Sequence, residues 1–446
     1  YTQVTYRRAH EPEGRVKPFL TLQSVESVLG HMRAFPLLDV ESVELDEATG
    51  RFLAQDFYAT EDLPGFDRST VDGFALRARD VFGAQEANPA LVDCVADCRM
   101  GEVPECTLAE GQAARILTGG MLPQGADCVV MVEYTRPAGG SLVEVTRSQA
   151  PGDNVIFRDD DAAAGSLLLR AGHRLRPQDI GLLAAFGIMD VQVRRKPLVA
   201  VLSTGDEVVP ASETPPPGKI RDINAHSIAA LCREAGAQAT RAGIVSDDAA
   251  RLKSAIGQLA QTHDVVVVSG GSSAGMRDHT VEIFESLPEA QLLVHGVAIS
   301  PGKPFILATA KINGRHVCLV GLPGHVTSAL VCARVFLTPL LEHLQGYAGS
   351  VKVPQVAAVL TRSVASAQGR RDYLRVRLRP LSCQPAGQPP TRPQTGIGLQ
   401  PLYEAEPIMG ASGLISGIAA ADGLMVCPEN REGYDAGDTV LVELFR

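Results

Sequence analysis

The sequence predicts an α/β domain joined to two β-rich domains, and three observations carry that reading. From Lys196 to about Tyr347, apolar strands alternate with helical patterns. Short β-rich runs broken by glycine and proline fill 62–166, and β patterning returns after Tyr347. A length of 446 residues suits about three domains and is ample to bury cores without disulfides. The expected divisions are a helical or linker region at 18–58 with 166–195, a β-rich insert at 59–165, the α/β domain at 196–346 and a barrel-like β domain at 347–446.

In chain order, LTLQSVESVLGHMRAF reads as a helix, followed by a short alternating stretch over 37–45 and a second helix. Within the insert, ARIL, DCVVMVEYT, SLVEVTRS and GSLLLRAG read as strands. PQDIGLLAAFGI returns to helix, with Pro177 suited to its first turn. In the α/β domain, PLVAVLSTGDE, ATRAGIVSDD, DVVVVSGG and RHVCLVGLPG are strands. NAHSIAALCREAG, AARLKSAIGQLAQ, RDHTVEIFESL and HVTSALVCARVFLTPLLEHL are helices, the first capped by Asn224 and stopped at Gly236. Fully apolar strands alternating with helices predict a parallel sheet covered on both faces. The last domain's strands are VPQVAAVLTRS, DYLRVRLRPL, GLMVCPEN and DTVLVELF, with a Pro-rich loop at 383–396. Five arginines fall between 370 and 379. They suit either a solvated strand face or an anion-facing role for one or two of them.

Composition narrows the function. Hydrophobic residues are 45% and charged residues 21%, which excludes global disorder. A net charge of −10, no Trp and only 5% aromatics argue against a general nucleic-acid or acidic-membrane binder. The apolar runs are shorter than a membrane span needs, and the first residues hold no apolar signal core. Nine cysteines, odd in number and without paired spacing, suit a reducing cytoplasm. Cys94, Cys98 and Cys106 lack a nearby His and suit packed thiols better than zinc.

Ligands of open parallel sheets bind beyond the carboxyl ends of the strands. Four loops meet there: STGDE with Ser203 and Gly205, the acids Asp247 and Asp248, SGGSSAG and GLPG. The third holds Ser269, Gly270, Gly271, Ser272, Ser273 and Gly275, and the fourth Pro323 and Gly324. Glycine lets backbone N–H groups approach an oxyanion, and a following helix adds partial positive charge. The pattern is neither a dinucleotide fingerprint nor a P-loop. Asp206, Glu207, Asp247, Asp248 and Asp278 line the same rim. Carboxylates beside a phosphate cradle repel the ligand unless a divalent cation bridges them, which points to Mg²⁺. For Asp247 and Asp278 a helix-cap role competes. Lys303 adds a point charge for an anion. Gly271 to Gly275 also match G-x-S-x-G, leaving open a serine hydrolase with Ser273 and a histidine such as His325.

Together the segments resemble the molybdopterin molybdenumtransferases, the MoeA-like proteins and the gephyrin E domain. DLPGFDRSTVDGFA at 62–75 resembles the family's D-x-P-x-F-D-x-S-x-M-D-G-[YF]-A. RILTGGMLPQGAD at 115–127 resembles R-I-x-T-G-A-x-[LV]-P-x-G-A-[DN]. STGDE, SGG-x-S-x-G, P-G-K-P and GLPG follow in the family's order, so the resemblance spans about 18–446. It implies an elongated, four-domain subunit in a homodimer, with a three-layer molybdopterin-binding domain. It implies that molybdate and adenylylated molybdopterin give molybdenum cofactor and AMP with Mg²⁺, with a molybdopterin adenylyltransferase as a possible partner. Asp72, Thr118, Glu207, Asp247 and Asp278 match the family's functional polar residues, the last three as Mg²⁺ ligands. Asp72 and Thr118 would reach the partner subunit's α/β domain. Lys303 with Pro304, Ser328, Arg375 and Ser412 match positions that hold the oxyanion.

Several positions depart from the family pattern. K-P-G-K-P is here Ser300-Pro-Gly-Lys303-Pro, and G-L-P-G-N-P-x-S is here Gly-Leu-Pro-Gly-His325-Val-Thr-Ser328. The R-R-x-G-x-D stretch has become IFRDDD at 156–161, and M-D-G-Y is Val71-Asp-Gly-Phe74. Each lost cation weakens anion binding by about 1–3 kcal/mol where it was buried and charge-assisted. These losses keep open a molybdenum cofactor carrier, or a tungstate-preferring variant, on the same scaffold.

Overall fold

The structure, a computed structural model, describes residues 21–270, 274–347, 349, 353–381 and 401–445. The Pro-rich 383–396 stretch lies outside them. The first helix, Val25–Met32, is capped by the Ser24 hydroxyl, which accepts from the Ser27 N–H, and it buries Val25, Val28 and Met32. The alternating stretch becomes the strand Val40–Glu44, paired antiparallel with Asp190–Arg194. The expected second helix is only a 3₁₀ turn, Leu45–Glu47, because Gly50 and the β pairings of Phe52 and Leu53 stop it. Pro177–Ala185 is helical with Pro177 in its first turn.

Residues of the insert build a six-stranded sheet. Its longest strand, Ala90–Cys98, alternates too weakly in hydropathy to have stood out in the sequence. Cys94 packs in one apolar cluster of this sheet and Cys98 with Cys106 in another. Burial pushes the Cys98 thiol up to about 11, so it stays protonated.

The α/β domain holds a six-stranded sheet in the spatial order Gln238–Val245, Leu198–Thr204, Val265–Gly270, Arg315–Leu322, Ile306–Ile312 and Gln291–His295. The expectation of a parallel sheet is corrected at one strand. Ile306–Ile312 runs antiparallel to both neighbours, because Asn313 and Gly314, both at positive φ, close a tight hairpin into Arg315–Leu322. The reversal matters for the site. Ile306 pairs with Gly321 at the carboxyl end of the parallel strands, so the turn carrying Lys303 is delivered to that rim.

Side chains alternate between two cores. Val199, Val201, Val265, Val267 and Val320 face the helices Asn224–Glu234 and Val326–Cys332; Leu202, Val266, Val268 and Leu319 face Ala249–Ala260 and Ala274–Glu285. The helical run Val326–Leu344 is long and apolar enough to cross a membrane by length and composition, but two-thirds of it is packed inside the fold. It includes a π-helical turn, Ala333–Leu337, just before Pro339, which cannot donate a backbone hydrogen bond.

In the last domain, Arg371–Pro380, Tyr403–Pro407, Gln355–Leu360, Thr439–Leu444 and Gly423–Cys427 pair in sequence, and the last returns to the first. That closes a five-stranded barrel around Val376, Met425 and Val442. Ile299–Ser300 adds to its edge beside Arg371 and Asp372, joining barrel and α/β domain.

Candidate functional site

The carboxyl ends of the parallel strands carry a network that ties four loops together. Gly270 has φ +132°, and a Cβ there would sit 2.0 Å from the Thr204 carbonyl oxygen, so only glycine lets the two strand ends close. Thr204 Oγ1 donates to Asp247 Oδ1 at 2.8 Å, and the Asp247 N–H donates to Asp206 Oδ1 at 3.1 Å. Gly205, at φ +144°, leaves room for Glu207, whose Oε2 lies 2.7 Å from where a Cβ would be. Asp248 caps Ala249–Ala260 by accepting from the Arg251 N–H at 2.8 Å. Asp247 is therefore not the cap, and one of its oxygens is held by Thr204.

Asn224 is the residue that sequence reasoning misread. It is the first residue of its helix, while Asp222 accepts from the Ala225 N–H. The Asn224 side chain turns inward. Its Nδ2 donates to Ser269 Oγ at 2.9 Å and to the Gly324 carbonyl at 2.8 Å. This brace locks the strand end before the Gly/Ser-rich loop to the GLPG turn. Ser203 pairs in register with Ser269. Among the described residues, Ser203 Oγ and Asn224 Oδ1 are buried without a hydrogen-bond partner, an arrangement native cores rarely leave without a reason. Pro323 is buried beside the brace.

Gly271, Ser272 and Ser273 lie outside the described residues. Gly275 and Asp278 fall on the helix Ala274–Glu285, but the side chain of Asp278 is not among those described. Of the expected Mg²⁺ ligands, Glu207 and Asp247 share the rim. Among the described residues, no three His, Cys, Asp or Glu side chains form a metal-like group. The available donors are carboxylate oxygens, the set a hard cation takes.

The second cluster joins the rim to the barrel. Lys303 is exposed, and Pro304 half-buried, in the turn before Ile306–Ile312. Gly302 of that turn packs against Cys332, whose Sγ donates to the Gly302 carbonyl at 3.3 Å. One helical turn before Cys332 lies buried Ser328. From the barrel, the Ser412 carbonyl accepts from the Thr327 N–H at 3.0 Å, and Ser412 Oγ lies 2.8 Å from His325 Nδ1. His325, offered above as a triad member, thus faces Ser412.

The arginine cluster resolves into distinct roles. Arg370 pairs with Asp372, Arg371 with Glu26 and Glu429, and Arg379 with Glu406. Arg377 reaches the Ala420 carbonyl. Arg375 is 8% exposed; its Nη2 donates to the Gly410 carbonyl at 2.7 Å, and its Nη1 is buried with no partner among the described residues. Burial alone pulls its pKa down, yet a guanidinium remains charged. Gly417 makes room for it, since a Cβ there would meet Nη1 at 2.6 Å.

Asp72 and Thr118 sit together on the insert. Asp72 Oδ1 accepts from the Thr118 N–H at 2.7 Å and from Thr118 Oγ1 at 2.8 Å. These bonds, the backbone one first, hold the Asp72 carboxyl below its ordinary range. Among the described residues, no hydrogen bond joins this pair to the α/β rim of the same chain. In the altered 156–161 stretch, Arg158 donates to Asp62 and, through its backbone, to Asp67. That segment is therefore tied back onto the 62–75 motif.

Comparisons with known proteins match three regions of the chain. The MoeA N-terminal region (domain I and II) matches residues 22–187, the probable molybdopterin binding domain 200–343, and the MoeA C-terminal region (domain IV) 397–445. The molybdopterin molybdenumtransferase of Bacillus subtilis is 32% identical over 413 residues, covering 92% of this chain and 90% of the relative. That of a Nostoc species is 36% identical over 334 residues, covering 75% and 76%. A crystal structure of a molybdopterin biosynthesis MoeA protein from Pyrococcus horikoshii superposes with a TM-score of 0.77 at 28% identity, over 95% of this chain and all of that one. A second structure of a Pyrococcus molybdopterin biosynthesis MoeA protein gives 0.74 at 35% identity, over 96% of this chain and all of that one. With such identity to the Bacillus protein across nearly the whole of both chains, this chain belongs to the molybdopterin molybdenumtransferase family of MoeA-like proteins.

Proposed function

We propose that this chain inserts molybdenum from molybdate into adenylylated molybdopterin, yielding molybdenum cofactor and AMP. The observation that carries the reading is the open Nη1 of Arg375, a buried cationic donor without a partner among the described residues, on the strand that anchors the Ser412 loop. A buried cation left incomplete is costly unless an anion completes it. Lys303, Ser328, Arg375 and Ser412 hold the oxyanion in this reading. The backbone around Ser269, Gly270 and Gly324, braced by Asn224, receives the phosphate-bearing pterin. Glu207, Asp247 and Asp278 would hold Mg²⁺, which when bound neutralises phosphate charge. Thr204 fixes one oxygen of Asp247 and leaves the other for a ligand.

Asp72 and Thr118 serve the rim of a partner copy in a homodimer; their exposure, and the fact that among the described residues the Asp72 carboxylate accepts only from Thr118, support that role. The nucleotide substrate calls for an adenylyltransferase upstream, and the chain works in the cytoplasm. The test is AMP release from adenylylated molybdopterin and Mg²⁺ with molybdate, with tungstate and with neither. Molybdate-dependent AMP with metal retained on the pterin is the expected result. Nucleotide binding without AMP under any condition would replace the reading with a carrier role, and preference for tungstate would reassign the oxyanion.

A further inference from the structure

His325 stands where the family pattern has asparagine, and its imidazole reaches 87 residues along the chain to a Ser412 hydroxyl of another domain, at 2.8 Å. Ser412 is already fixed through its backbone, since its carbonyl accepts from the Thr327 N–H. Its remaining freedom is the rotation of one hydroxyl proton. Two residues earlier, the Gly410 carbonyl takes Nη2 of Arg375, the guanidinium whose Nη1 is unpartnered. Ser412 therefore belongs to the loop that the buried cation anchors.

We propose that His325 is a positioning residue for the oxyanion, donating from Nδ1–H to Ser412 Oγ so that the Ser412 proton points to the anion. A hydroxyl carries one proton and two lone pairs. If Ser412 donated to His325, only lone pairs would face the anion, which would repel it. With His325 as donor, the proton is free for the oxyanion, so an anion in the site selects the Nδ1–H tautomer. The donor role needs no charge on the ring. It also adds a well-directed hydrogen bond on a site where Ser300 replaces a cation. The inference rests on the oxyanion reading of Ser412 given above.

The test titrates molybdate into the full chain and, in parallel, measures AMP release against molybdate concentration. His325→Leu removes the donor; His325→Asn restores an N–H on a shorter side chain. His325→Leu should weaken molybdate binding about tenfold and raise the molybdate KM alike, with kcat within about twofold, while His325→Asn stays within about threefold of the parent. Ser412→Ala should bind weakly, and adding His325→Leu to it should cost nothing further. Additive losses in that pair overturn the proposal, as does unchanged molybdate binding by His325→Leu. So does His325→Asn behaving like His325→Leu. If the parent chain neither binds molybdate nor releases AMP, the oxyanion reading itself fails, a result distinct from the others.

Discussion

The two ends of the central α/β sheet are built on opposite principles. At the amino end, Asp264 is 5% exposed and saturated. Arg195 grips it with both Nη atoms, at 2.7 and 2.8 Å, and the Leu198 N–H donates at 2.8 Å. Burial pushes the Asp264 carboxyl up, but Arg195, the Leu198 N–H and the charge of Arg315 outweigh it and hold the pKa below its ordinary value. At the carboxyl end, Ser203 Oγ, Asn224 Oδ1 and Thr327 Oγ1 are buried without partners among the described residues, and so is Arg375 Nη1 in the adjoining barrel. The same strands thus end in a closed electrostatic knot on one side and an incomplete polar lining on the other. Saturation stabilises the fold; incompleteness leaves room for a ligand.

The largest effect should come from breaking the saturated end. Asp264→Ala leaves Arg195 only the exposed Asp39, 3.7 Å away, and should cost about 3–5 kcal/mol in urea unfolding, with the molybdate KM of the folded fraction unchanged. A catalytic loss without a stability loss would break the comparison. The pH dependence sharpens it. The folded pKa of Asp264 lies below the ordinary value of 3.8, so its contribution is full above that value and lost as pH falls through the folded one. The parent chain should lose more stability than Asp264→Ala as pH drops below 3.8.

The unsaturated end should answer the other way. Arg375→Met should reduce molybdate-dependent AMP release on the order of 100-fold. Its melting temperature should hold or rise, because a half-satisfied buried cation is replaced by an apolar chain. A large drop in melting temperature would make Arg375 structural. Asn224→Ala removes both brace bonds and should lower kcat/KM about tenfold with a stability loss of about 1–3 kcal/mol. An unchanged kcat/KM would confine the brace to stability. Smallest is a gain: Ser300→Lys should lower the molybdate KM by about threefold, and no change in KM would put that turn outside the oxyanion's reach.

Local patterns made much of this legible. The run of four valines after Asp264 reads as a buried strand, and the Gly/Ser-rich segment after it as a turn into a helix. The structure has both elements, Val265–Gly270 and Ala274–Glu285. The antiparallel strand is masked in the sequence by the surrounding strand–helix rhythm, although Asn313-Gly314 is a strong hairpin signal. The type and position of Asn224 suit a cap; its inward turn depends on Ser269 and Gly324, 45 and 100 residues away. Composition and spacing do not sort the five arginines; only the family resemblance singles out Arg375. Arg371 and Arg379 find acids on the first helix, in the turn at Glu429 and on a neighbouring barrel strand, Arg370 pairs with Asp372 two residues on, and Arg375 and Arg377 bond backbone carbonyls.

Periodicity, turn residues and ordered motifs by themselves determined the α/β domain between two β-rich regions, the rim loops and the family. These follow from hydrophobic period and backbone preference, which act over a few residues. Only the tertiary structure decided which polar groups were paired and which were left open. It left Nη1 of Arg375 without a partner among the described residues, brought Lys303 to the rim on a reversed strand and set His325 against Ser412. The net energy of a buried charge or hydrogen bond is fixed by partners that the fold brings from distant positions, and no local pattern encodes them.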